Sequence, residues 1–404
     1  MKVFPVELSD HKDLSALIKK IRADGRSFPW FRSKTSVTSL YIKDLSTVSA
    51  NILKQEILSR GGDLVVSRNT VNCRDKTTDG LLLATEKQLV QLISKLEEFD
   101  IPSLVTVREE LANRVSRIKI RTWKMELGNG KPPLILDSNT RIMGIINLTP
   151  DSFFPESRTA SEKIRDKAAS MVQKGASVID LGAESTRPGS LPITAEEEIK
   201  RLVPPLKILR SAFPELCISV DTYRSETALA ALQAGADIIN DIYGLAHDPE
   251  LADVVARKKG ILVIGHIQGT PRTMQDSPFY NDTVLEVLEG LESSLKTATK
   301  RGMTEDRIII DPGLGFGKRY SDNLTILKNI ESFRTFGLPL LIGHSRKGLT
   351  GKIAESNTDE ARLGSTASIS SYCAMKEVQM VRVHDIEENY RAIRTITEIR
   401  GARS

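Results

Sequence analysis

From about residue 140 onward, polar and ionisable residues recur along the chain, each directly after a short apolar run. Asn147 follows the first run, and Arg382 and His384 lie at the last. Between them stand residues with the same placement: 184–187, Asp221, Asn240 with Asp241, His266 with Gln268, Asp311 and Ser345–Lys347. Carboxylates, amides and cations of these types bind the polar edges of small molecules and bind anions.

Each of these residues alone has a simpler structural explanation. A carboxylate after a strand often caps the next helix, and an isolated His384 would more often be a buried structural histidine. The stretch GLGFGK after Asp311 resembles a phosphate-binding loop, but it lacks the Walker spacing and the following Ser or Thr. Packing does not require a polar residue after every apolar run, so the joint pattern indicates a binding site.

The polar residues divide into two chemical groups. Asp221, Asn240 and Asp311 suit a flat heterocycle with amide and amino edges, because a carboxylate accepts hydrogen bonds from paired N–H donors. Three further residues lie on the first and last runs: Asn147, Arg382 and His384. These two runs are neighbours in a closed barrel, and their side chains suit a phosphate or diphosphate bound with a metal ion. The pattern therefore indicates displacement of a diphosphate from a heterocycle.

A repeating strand–loop–helix pattern must position these residues. The apolar runs predict strands at 142–146, 177–182, 216–220, 236–240, 261–264, 307–311, 338–342 and 379–383. Amphipathic periodicity predicts helices at 161–174, 195–211, 225–234, 248–259, 282–301, 322–331, 359–375 and 385–399. This count predicts an α/β fold of the (β/α)8 TIM-barrel type, with the active site at the C-terminal ends of the strands. A doubly wound open sheet would more often begin with a glycine-rich turn, which is missing.

The sequence predicts two domains. Residues 1–120 read as a small α/β N-terminal domain, in which no motif carries chemistry, and residues 121–404 as the barrel. The stretch 123–140 alternates apolar residues around a Gly-Asn-Gly turn, which predicts a hairpin that closes the floor of the barrel.

Composition excludes several classes of function. The net charge is +5, and Lys and Arg are interleaved with Asp and Glu, which argues against a nucleic-acid partner. No apolar run approaches the roughly 20 residues of a membrane span, and the N-terminus lacks the apolar core of a signal peptide. The chain has three scattered cysteines, which predict a reduced, cytoplasmic protein. No HExxH or paired-His spacing occurs, which argues against a catalytic zinc site.

Eight motifs, in order, resemble those of dihydropteroate synthase, a pterin-binding enzyme family. They are NLTPDSF at 147–153, DLGAESTRPG at 180–189, VDT at 220–222, NDI at 240–242, HIQGTP at 266–271, DPGLGFGK at 311–318, GHSRKG at 343–348 and RVHD at 382–385. The resemblance covers about residues 123–404 and implies a (β/α)8 barrel, in agreement with the strand count. It also implies a long form with an N-terminal extension.

The resemblance implies a transferase reaction of folate biosynthesis. The enzyme would condense 6-hydroxymethyl-7,8-dihydropterin diphosphate with p-aminobenzoate, giving 7,8-dihydropteroate and diphosphate, by a dissociative mechanism that requires Mg2+. Sulfonamides, which mimic p-aminobenzoate, would compete for its site. The family's usual state is a homodimer, although no sequence feature decides it here.

Roles for individual residues follow from the resemblance, position by position. The pterin would be held by Asp221, Asn240, Asp311 and Lys347, and the diphosphate by Asn147, Arg382 and His384. Asn147 would also be a ligand of the metal ion. The p-aminobenzoate would be held by pocket and loop residues: Thr186, Arg187, Pro188, Phe316, Ser345 and Arg346. The catalytic residues would be Asp221, Asp311, Lys347, Arg382 and His384.

Two departures from the family pattern and two other hypotheses stand beside this interpretation. Residues 154–158, Phe-Pro-Glu-Ser-Arg, replace a common Asp-Gly-Gly, and Ile267 stands where a methionine is common. The first alternative is a corrinoid-linked methyltransferase, which shares the VDT, NDI and DPG elements but would not need the Ser-Thr-Arg-Pro, Ser-Arg-Lys and Arg-Val-His segments. The second is a catalytically silent barrel that serves an N-terminal binding domain.

Overall fold

The chain folds into two compact units, and the boundary between them in the sequence lies near residue 118. The computed structural model describes residues 3, 11–128, 130–148, 158–184, 192–356 and 358–402. Contacts within this described part define one unit up to Ile118 and another spanning Lys119–Gly401. Among the same residues, no helix is both long enough and apolar enough to cross a bilayer.

The N-terminal unit is built on a small antiparallel sheet. Its elements are α1 (His11–Ile21), α2 (Phe28–Arg32), β1 (Val37–Ser46), α3 (Thr47–Leu58), β2 (Asp63–Val66), β3 (Thr77–Thr85), α4 (Glu86–Leu96) and α5 (Pro102–Arg117). The central strand β3 pairs with β1 and β2. Leu45, Leu64 and Leu82, one from each strand, are buried in a core with Leu53 and Leu92 of the helices. The predicted small α/β domain is confirmed.

The second unit alternates strands and helices. A hairpin of β4 (Trp123–Met125) and β5 (Leu134–Leu136) precedes eight strands within the described residues: β6 (Arg141–Asn147), β7 (Val178–Gly182), β8 (Cys217–Asp221), β9 (Ile238–Asp241), β10 (Ile261–Ile264), β11 (Ile308–Ile310), β12 (Leu341–Gly343) and β13 (Met380–Val383). The helices are α6 (Arg158–Gln173), α7 (Ala195–Ala212), α8 (Ser225–Gln233), α9 (Glu250–Arg257), α10 (Thr283–Lys300), α11 (Tyr320–Lys328), α12 (Gly348–Ile353), α13 (Asp359–Met375) and α14 (Ile386–Gly401).

The eight strands form a closed parallel barrel. Their order is β11-β10-β9-β8-β7-β6-β13-β12, so that β6 pairs with both β7 and β13. The two ends of the sheet meet where Ile310 forms a parallel bridge with Leu340, just before β12. The predicted (β/α)8 barrel is confirmed, and with it the adjacency of the first and last strands.

Alternation along each strand decides which side chains fill the barrel. Residues of one parity, such as Ile179 and Leu181, pack outward against the helices. Residues of the other parity point inward, and at the base of the barrel they are apolar: Met143, Val178, Cys217, Ile238, Ile261, Ile309, Leu341 and Met380. Several inward residues nearer the C-terminal ends are polar, among them Asp180, Asp221, Asn240 and Arg382, so the same alternation that builds the core also brings polar groups to the mouth.

The hairpin β4–β5 closes the floor of the barrel. Met125, Leu134 and Leu136 are buried among the inward residues at the base. Beside them, Lys131 forms an ion pair with the buried carboxylate of Asp237, which also binds Arg210 at 2.7 Å. The predicted hairpin is confirmed, and its lysine is held by a buried aspartate, which fixes it in place.

Several element boundaries differ from those predicted. Helix α6 begins at Arg158, three residues before the predicted start, and α11 ends at Lys328, where a 3-10 segment over Ile330–Phe336 takes over. Strand β12 is short because residues 338–340 lead into it and form only the closing bridge. Helices α5 and α12 were not predicted, and α12 carries two glycines in six residues, a composition that disfavours helix.

Candidate active site

The inward alternation brings the predicted residues together at the mouth of the barrel. Asp221, Asn240, Asp311 and Arg382 share the inward parity of their strands and lie at or just past the strand ends. Asn240 and Asp311 are buried, although both are polar. Polar groups buried at this end of the barrel need partners, and these partners define the site.

Arg382 lies between two carboxylates. Its Nε donates a hydrogen bond to Asp180 Oδ2 at 2.6 Å, and its terminal nitrogen donates to Asp221 Oδ2 at 2.6 Å. The same terminal nitrogen is also 2.6 Å from Asp180 Oδ2. Burial lowers the pKa of Arg382, but the negative charges of Asp180 and Asp221 raise it by more. The net effect is a raised pKa, so the guanidinium stays charged. Asp180 was not predicted as a site residue. A lone acidic residue in the otherwise apolar strand VIDLG is the signal that could have found it, because a buried carboxylate in a strand requires a cation.

The carboxylates of the site lie in an environment that opposes ionisation. Burial raises the pKa of Asp221, and Arg382 offsets only part of that effect. Burial likewise raises the pKa of Asp311, while Lys347 lowers it. Buried carboxylates that face a cleft gain most from a ligand that brings positive charge or paired N–H donors.

Lys347 lies over an aromatic ring, and the charges of Asp311 and Asp221 act on it. Its Nζ lies 4.1 Å from the centre of the Phe316 ring and donates a hydrogen bond to the Leu314 carbonyl. Burial lowers the pKa of Lys347 to about 8, against the opposing effect of Asp311. A buried ammonium over an aromatic ring is a recognised stabilising arrangement. Lys347 is therefore fixed in place, with its charge directed at the site.

Two glycines keep the space between these groups open. A Cβ on Gly343 would lie 3.8 Å from Asp311 Oδ2, from Lys347 Nζ and from Arg382 Cβ. A Cβ on Gly182 would lie 3.7 Å from Asn147 Oδ1 and 3.9 Å from Asp221 Oδ2. Both positions have the inward parity, so any larger side chain would project into the mouth. Asn147 itself is exposed at the end of β6, with its amide oxygen on the Gly182 side.

His384 is held as a neutral hydrogen-bond donor. Its backbone N–H donates to Ser345 Oγ at 3.2 Å, and its Nδ1 is 3.1 Å from the same oxygen. Because Ser345 accepts from the backbone, its hydroxyl can donate to Nδ1, which leaves the proton on Nε2. Burial, with Arg346 and Arg382 nearby, lowers the pKa of His384 to about 4. Ser345, predicted for the aminobenzoate pocket, thus contacts His384.

The remaining predicted residues are distributed differently. Arg346 adopts a positive φ of 56° and pairs with Asp385 at 2.8 Å and Asp359 at 3.6 Å, on an exposed part of the rim. Phe316 is buried beside Lys347 in a cluster of apolar residues at the rim. The predicted loop residues Thr186, Arg187 and Pro188 lie outside the described residues, as does the departing segment 154–157.

The GLGFGK stretch does not present its lysine to the mouth. Lys318 Nζ donates to the carbonyls of Gly313 and Phe316 at 3.0 and 3.1 Å, and it also binds the carbonyl and Nδ1 of His266. Burial lowers the pKa of Lys318 to about 7. The ammonium thus stabilises the loop from inside, because it donates hydrogen bonds to backbone carbonyls that are buried in the loop. Gln268 binds the backbone of Phe279 and is also structural.

A second buried ion cluster lies beside the site and was not predicted. Arg224 binds Glu184 at 2.7 Å and Glu198 at 2.9 Å, and it donates to the Ile193 carbonyl at 2.8 Å. The Tyr223 hydroxyl donates to Glu184 at 2.8 Å. Arg224 therefore joins the chain just before residue 185 to the chain just after residue 191. The Asp-Thr-Tyr-Arg sequence, with an arginine three residues past a polar strand end, is the signal for it.

No cluster in the described residues could hold a metal ion through three or more His, Cys, Asp or Glu side chains. The oxygen of Asn147, at the open edge of the mouth, is nevertheless a donor of the kind that Mg2+ accepts when most of its other ligands are water and phosphate oxygens. The donor set therefore fits a magnesium ion that arrives with an anionic substrate.

Comparison with known proteins identifies the family. The profile of the family described as "Pterin binding enzyme" matches residues 143–384. The dihydropteroate synthase of Synechocystis is 39% identical over 253 residues, which cover 61% of this chain and 86% of that protein. The dihydropteroate synthase of Streptococcus pyogenes is 37% identical over 267 residues, which cover 66% of this chain and 97% of its own. The chain belongs to the dihydropteroate synthase family of pterin-binding enzymes.

Solved structures of the family agree with the barrel. The Yersinia pestis dihydropteroate synthase, in complex with a sulfonamide drug, aligns with a TM-score of 0.63 at 32% identity, over 69% of this chain and 100% of that one. The Xanthomonas albilineans enzyme with 4-aminobenzoic acid aligns with the same TM-score and identity, over 70% of this chain and 100% of its own. The matched span of these family members corresponds in length to the barrel unit.

Proposed function

We propose that the chain is a dihydropteroate synthase. It condenses 6-hydroxymethyl-7,8-dihydropterin diphosphate with p-aminobenzoate, and the products are 7,8-dihydropteroate and diphosphate. The observation that carries the proposal is the close grouping of Asp311, Lys347 and Arg382 around the open space at Gly343, with Asp221 beside the second glycine, Gly182. Carboxylates for a ring with N–H donors and cations for a leaving diphosphate thus border one space in a member of this family.

Four residues would bind the pterin ring. The carboxylates of Asp221 and Asp311 would accept from the amino and amide N–H groups of the ring, and Asn240 offers both a donor and an acceptor. Lys347 would donate to a ring carbonyl or nitrogen. Burial strengthens each of these contacts, because water does not compete for the polar groups.

Three residues would bind the diphosphate. Arg382 offers several N–H donors in one plane, the geometry that suits phosphate oxygens. His384 would donate from Nε2, the nitrogen that the contact between Ser345 and Nδ1 leaves protonated. Asn147 would hold Mg2+, which when bound supplies positive charge to the diphosphate oxygens.

The p-aminobenzoate would bind beside Phe316, next to the segment that carries Thr186, Arg187 and Pro188. Ser345 would border the same space through its contact with His384. Arg346 would have to leave Asp385 to reach the carboxylate of the substrate, because its guanidinium is paired there. Support for this pocket comes from the Xanthomonas albilineans and Yersinia pestis structures, which hold 4-aminobenzoic acid and a sulfonamide.

The chemistry that the residues favour is dissociative. The C–O bond between the pterin methylene and the diphosphate breaks, and its electron pair leaves with the diphosphate. The amine nitrogen then forms the new C–N bond to the methylene cation and loses a proton to water. Asp221 and Asp311, buried beside the ring, would stabilise that cation more than the neutral substrate, which is the differential stabilisation that catalysis requires. An aniline is already unprotonated at neutral pH, so no general base is needed.

Release of diphosphate tests the proposal. The purified chain, given the pterin diphosphate and Mg2+, is expected to release diphosphate in step with dihydropteroate once p-aminobenzoate is added. A sulfonamide is expected to raise the KM for p-aminobenzoate without changing kcat. Methyl transfer from a methylated folate to a corrinoid, or no diphosphate release under these conditions, would contradict the proposal.

Gly343 allows a sharper test of the site. Gly343→Ala is expected to lower kcat/KM for the pterin diphosphate by about ten- to a hundredfold, because a methyl group there occupies the space that the ring needs. The nearest atoms lie at 3.8 Å, an ordinary contact distance, so the thermal stability should change little. Gly364→Ala is the matched control, since nothing lies within 4 Å of its Cβ position. Equal activity of the two variants would place the ring elsewhere.

We propose further that the enzyme is a cytoplasmic homodimer. Two of its cysteines, Cys217 and Cys373, are buried and unpaired, and burial raises the pKa of both thiols, which suits a reducing compartment. Size-exclusion chromatography with light scattering would decide the oligomeric state.

A further inference from the structure

We infer that Asp180 is a positioning residue that retains the Arg382 guanidinium while the pterin ring occupies Asp221. The inference rests on the proposed function and assigns a role to a residue that lies beneath the substrate rather than against it.

Arg382 and Asp221 bind each other in the structure but would need other partners in the complex with substrate. In the structure each is a partner of the other, through the 2.6 Å contact between the terminal nitrogen and Asp221 Oδ2. The proposed reaction requires Asp221 to accept from the N–H groups of the ring and Arg382 to donate to the diphosphate. Binding of the substrate must therefore loosen this contact, and a buried arginine that loses a carboxylate is costly unless another carboxylate remains.

Asp180 is placed to be that second carboxylate. It is fully buried, it has the inward parity of β7, and it lies in register between Ile145 of β6 and Ser219 of β8. It is thus one layer below Gly182, which borders the space at the mouth. A side chain at this depth can hold Arg382 from beneath without touching the ring.

Asp180 also has unused hydrogen-bonding capacity. Both contacts from Arg382 go to Oδ2, whereas Oδ1 is buried and has no hydrogen-bond partner among the described residues. The hydroxyl oxygen of Ser219, the neighbour in register, is buried and without a partner in the same sense. An unpaired buried carboxylate oxygen is unfavourable by itself. It can accept the N–H that leaves Asp221, which converts the Arg382–Asp180 contact into a two-oxygen pair of the kind arginine favours.

Binding of the pterin ring and binding of the diphosphate should therefore respond differently to loss of the Asp180 charge. With Asp180→Asn, Arg382 has Asp221 as its one ionised partner, so the ring must compete for Asp221 against a guanidinium with no alternative. An anion that needs only Arg382 gains from the loss of a nearby negative charge. If Asp180 were purely structural, its loss would weaken binding of the ring and of the diphosphate together.

The test measures two probes by calorimetry on the full chain. One is 6-hydroxymethylpterin without phosphates, and the other is inorganic diphosphate with Mg2+. For Asp180→Asn, the Kd of the pterin is expected to rise about tenfold, while the Kd of the diphosphate stays the same or falls. In steady state the KM for p-aminobenzoate should not change, whereas kcat/KM for the pterin diphosphate should fall.

A matched control and a double variant separate positioning from stability. Asp237 is also a buried aspartate paired with an arginine, Arg210, but it lies at the floor of the barrel. Asp237→Asn is expected to lower the Tm without changing the ratio of the two Kd values. In the Arg382→Met background, the Asp180→Asn substitution should no longer weaken pterin binding, because its effect passes through Arg382. Should Asp180→Asn not fold, Asp180→Ser carries the same expectation.

The possible failures are distinguishable. If the parent chain binds neither probe, the proposed function is wrong. If the parent binds both probes, three results would overturn the positioning role. Asp180→Asn could leave the Kd of the pterin unchanged, or it could weaken the binding of both probes alike. It could also weaken pterin binding as much in the Arg382→Met background as in the parent.

Discussion

Replacing Arg382 with alanine is expected to abolish measurable turnover, and replacing it with lysine is expected to lower kcat by about 10²- to 10³-fold. Arg382 contacts Asp180 and Asp221 at 2.6 Å each and faces the space at Gly343. A lysine can keep the charge but cannot reach two carboxylates and a diphosphate in one plane. The measurement is single-turnover formation of dihydropteroate, which reports bond breaking separately from product release.

The lysine variant matters because the alanine variant leaves two carboxylates without their cation and is expected to lose stability. Arg210→Lys, at the floor of the barrel, is the matched control: Arg210 also binds a buried aspartate, Asp237, at 2.7 Å. It should lose stability to a similar extent and keep its kcat. A kcat for Arg382→Lys close to that of the parent would remove Arg382 from the diphosphate site.

Replacing Lys347 with methionine is expected to lower kcat/KM for the pterin diphosphate by about 10²- to 10³-fold. Methionine preserves the packing on Phe316 but removes the charge that lies beside Asp311. Lys131→Met provides the control, because Lys131 is another buried lysine paired with an aspartate, at the opposite end of the barrel. Turnover by Lys347→Met at the rate of Lys131→Met would contradict a role for this ammonium in binding the ring.

The lowered pKa of Lys347 predicts how activity depends on pH. Burial lowers the pKa of Lys347 to about 8, so its charge is present at lower pH and is lost as the pH rises through that value. The kcat/KM of the parent should therefore fall on the alkaline side, and the fall should move to higher pH in Lys347→Arg, because arginine stays charged. A parent profile that is flat up to pH of about 9 would show that the charge is not required.

The alternation of apolar and polar residues made the barrel predictable, and with it the grouping of polar residues at its mouth. Each strand places every second residue inward, so Asp221, Asn240 and Asp311, read from sequence as strand-end residues, arrive at one mouth once the strands are parallel. The pairing of β13, which carries Arg382, with β6, which ends at Asn147, follows from closure of the barrel. Closure is a global property that eight strand–helix repeats already indicate.

What the sequence left unpredicted depends on contacts between distant segments. The strand VIDLG marks Asp180 as an unusual buried carboxylate, but its partner, Arg382, lies 202 residues away in the sequence. Lys318 stands in a motif that resembles a phosphate loop, and only the fold directs its ammonium back into the loop. Arg346 was expected at the aminobenzoate pocket, but its backbone and Asp385 direct it along the rim.

The hairpin β4–β5 has a practical consequence for anyone who wishes to shorten the chain. The family profile begins at Met143, inside β6, which invites a truncation at that point. Such a protein would lack Met125, Leu134 and Leu136, which seal the base of the barrel, and Lys131, which neutralises Asp237. Apolar side chains at the base of the barrel that are otherwise buried would be exposed to water. Such an exposed hydrophobic patch favours aggregation. A barrel intended for crystallography or drug screening therefore has to start near Lys119, where the compact unit itself begins.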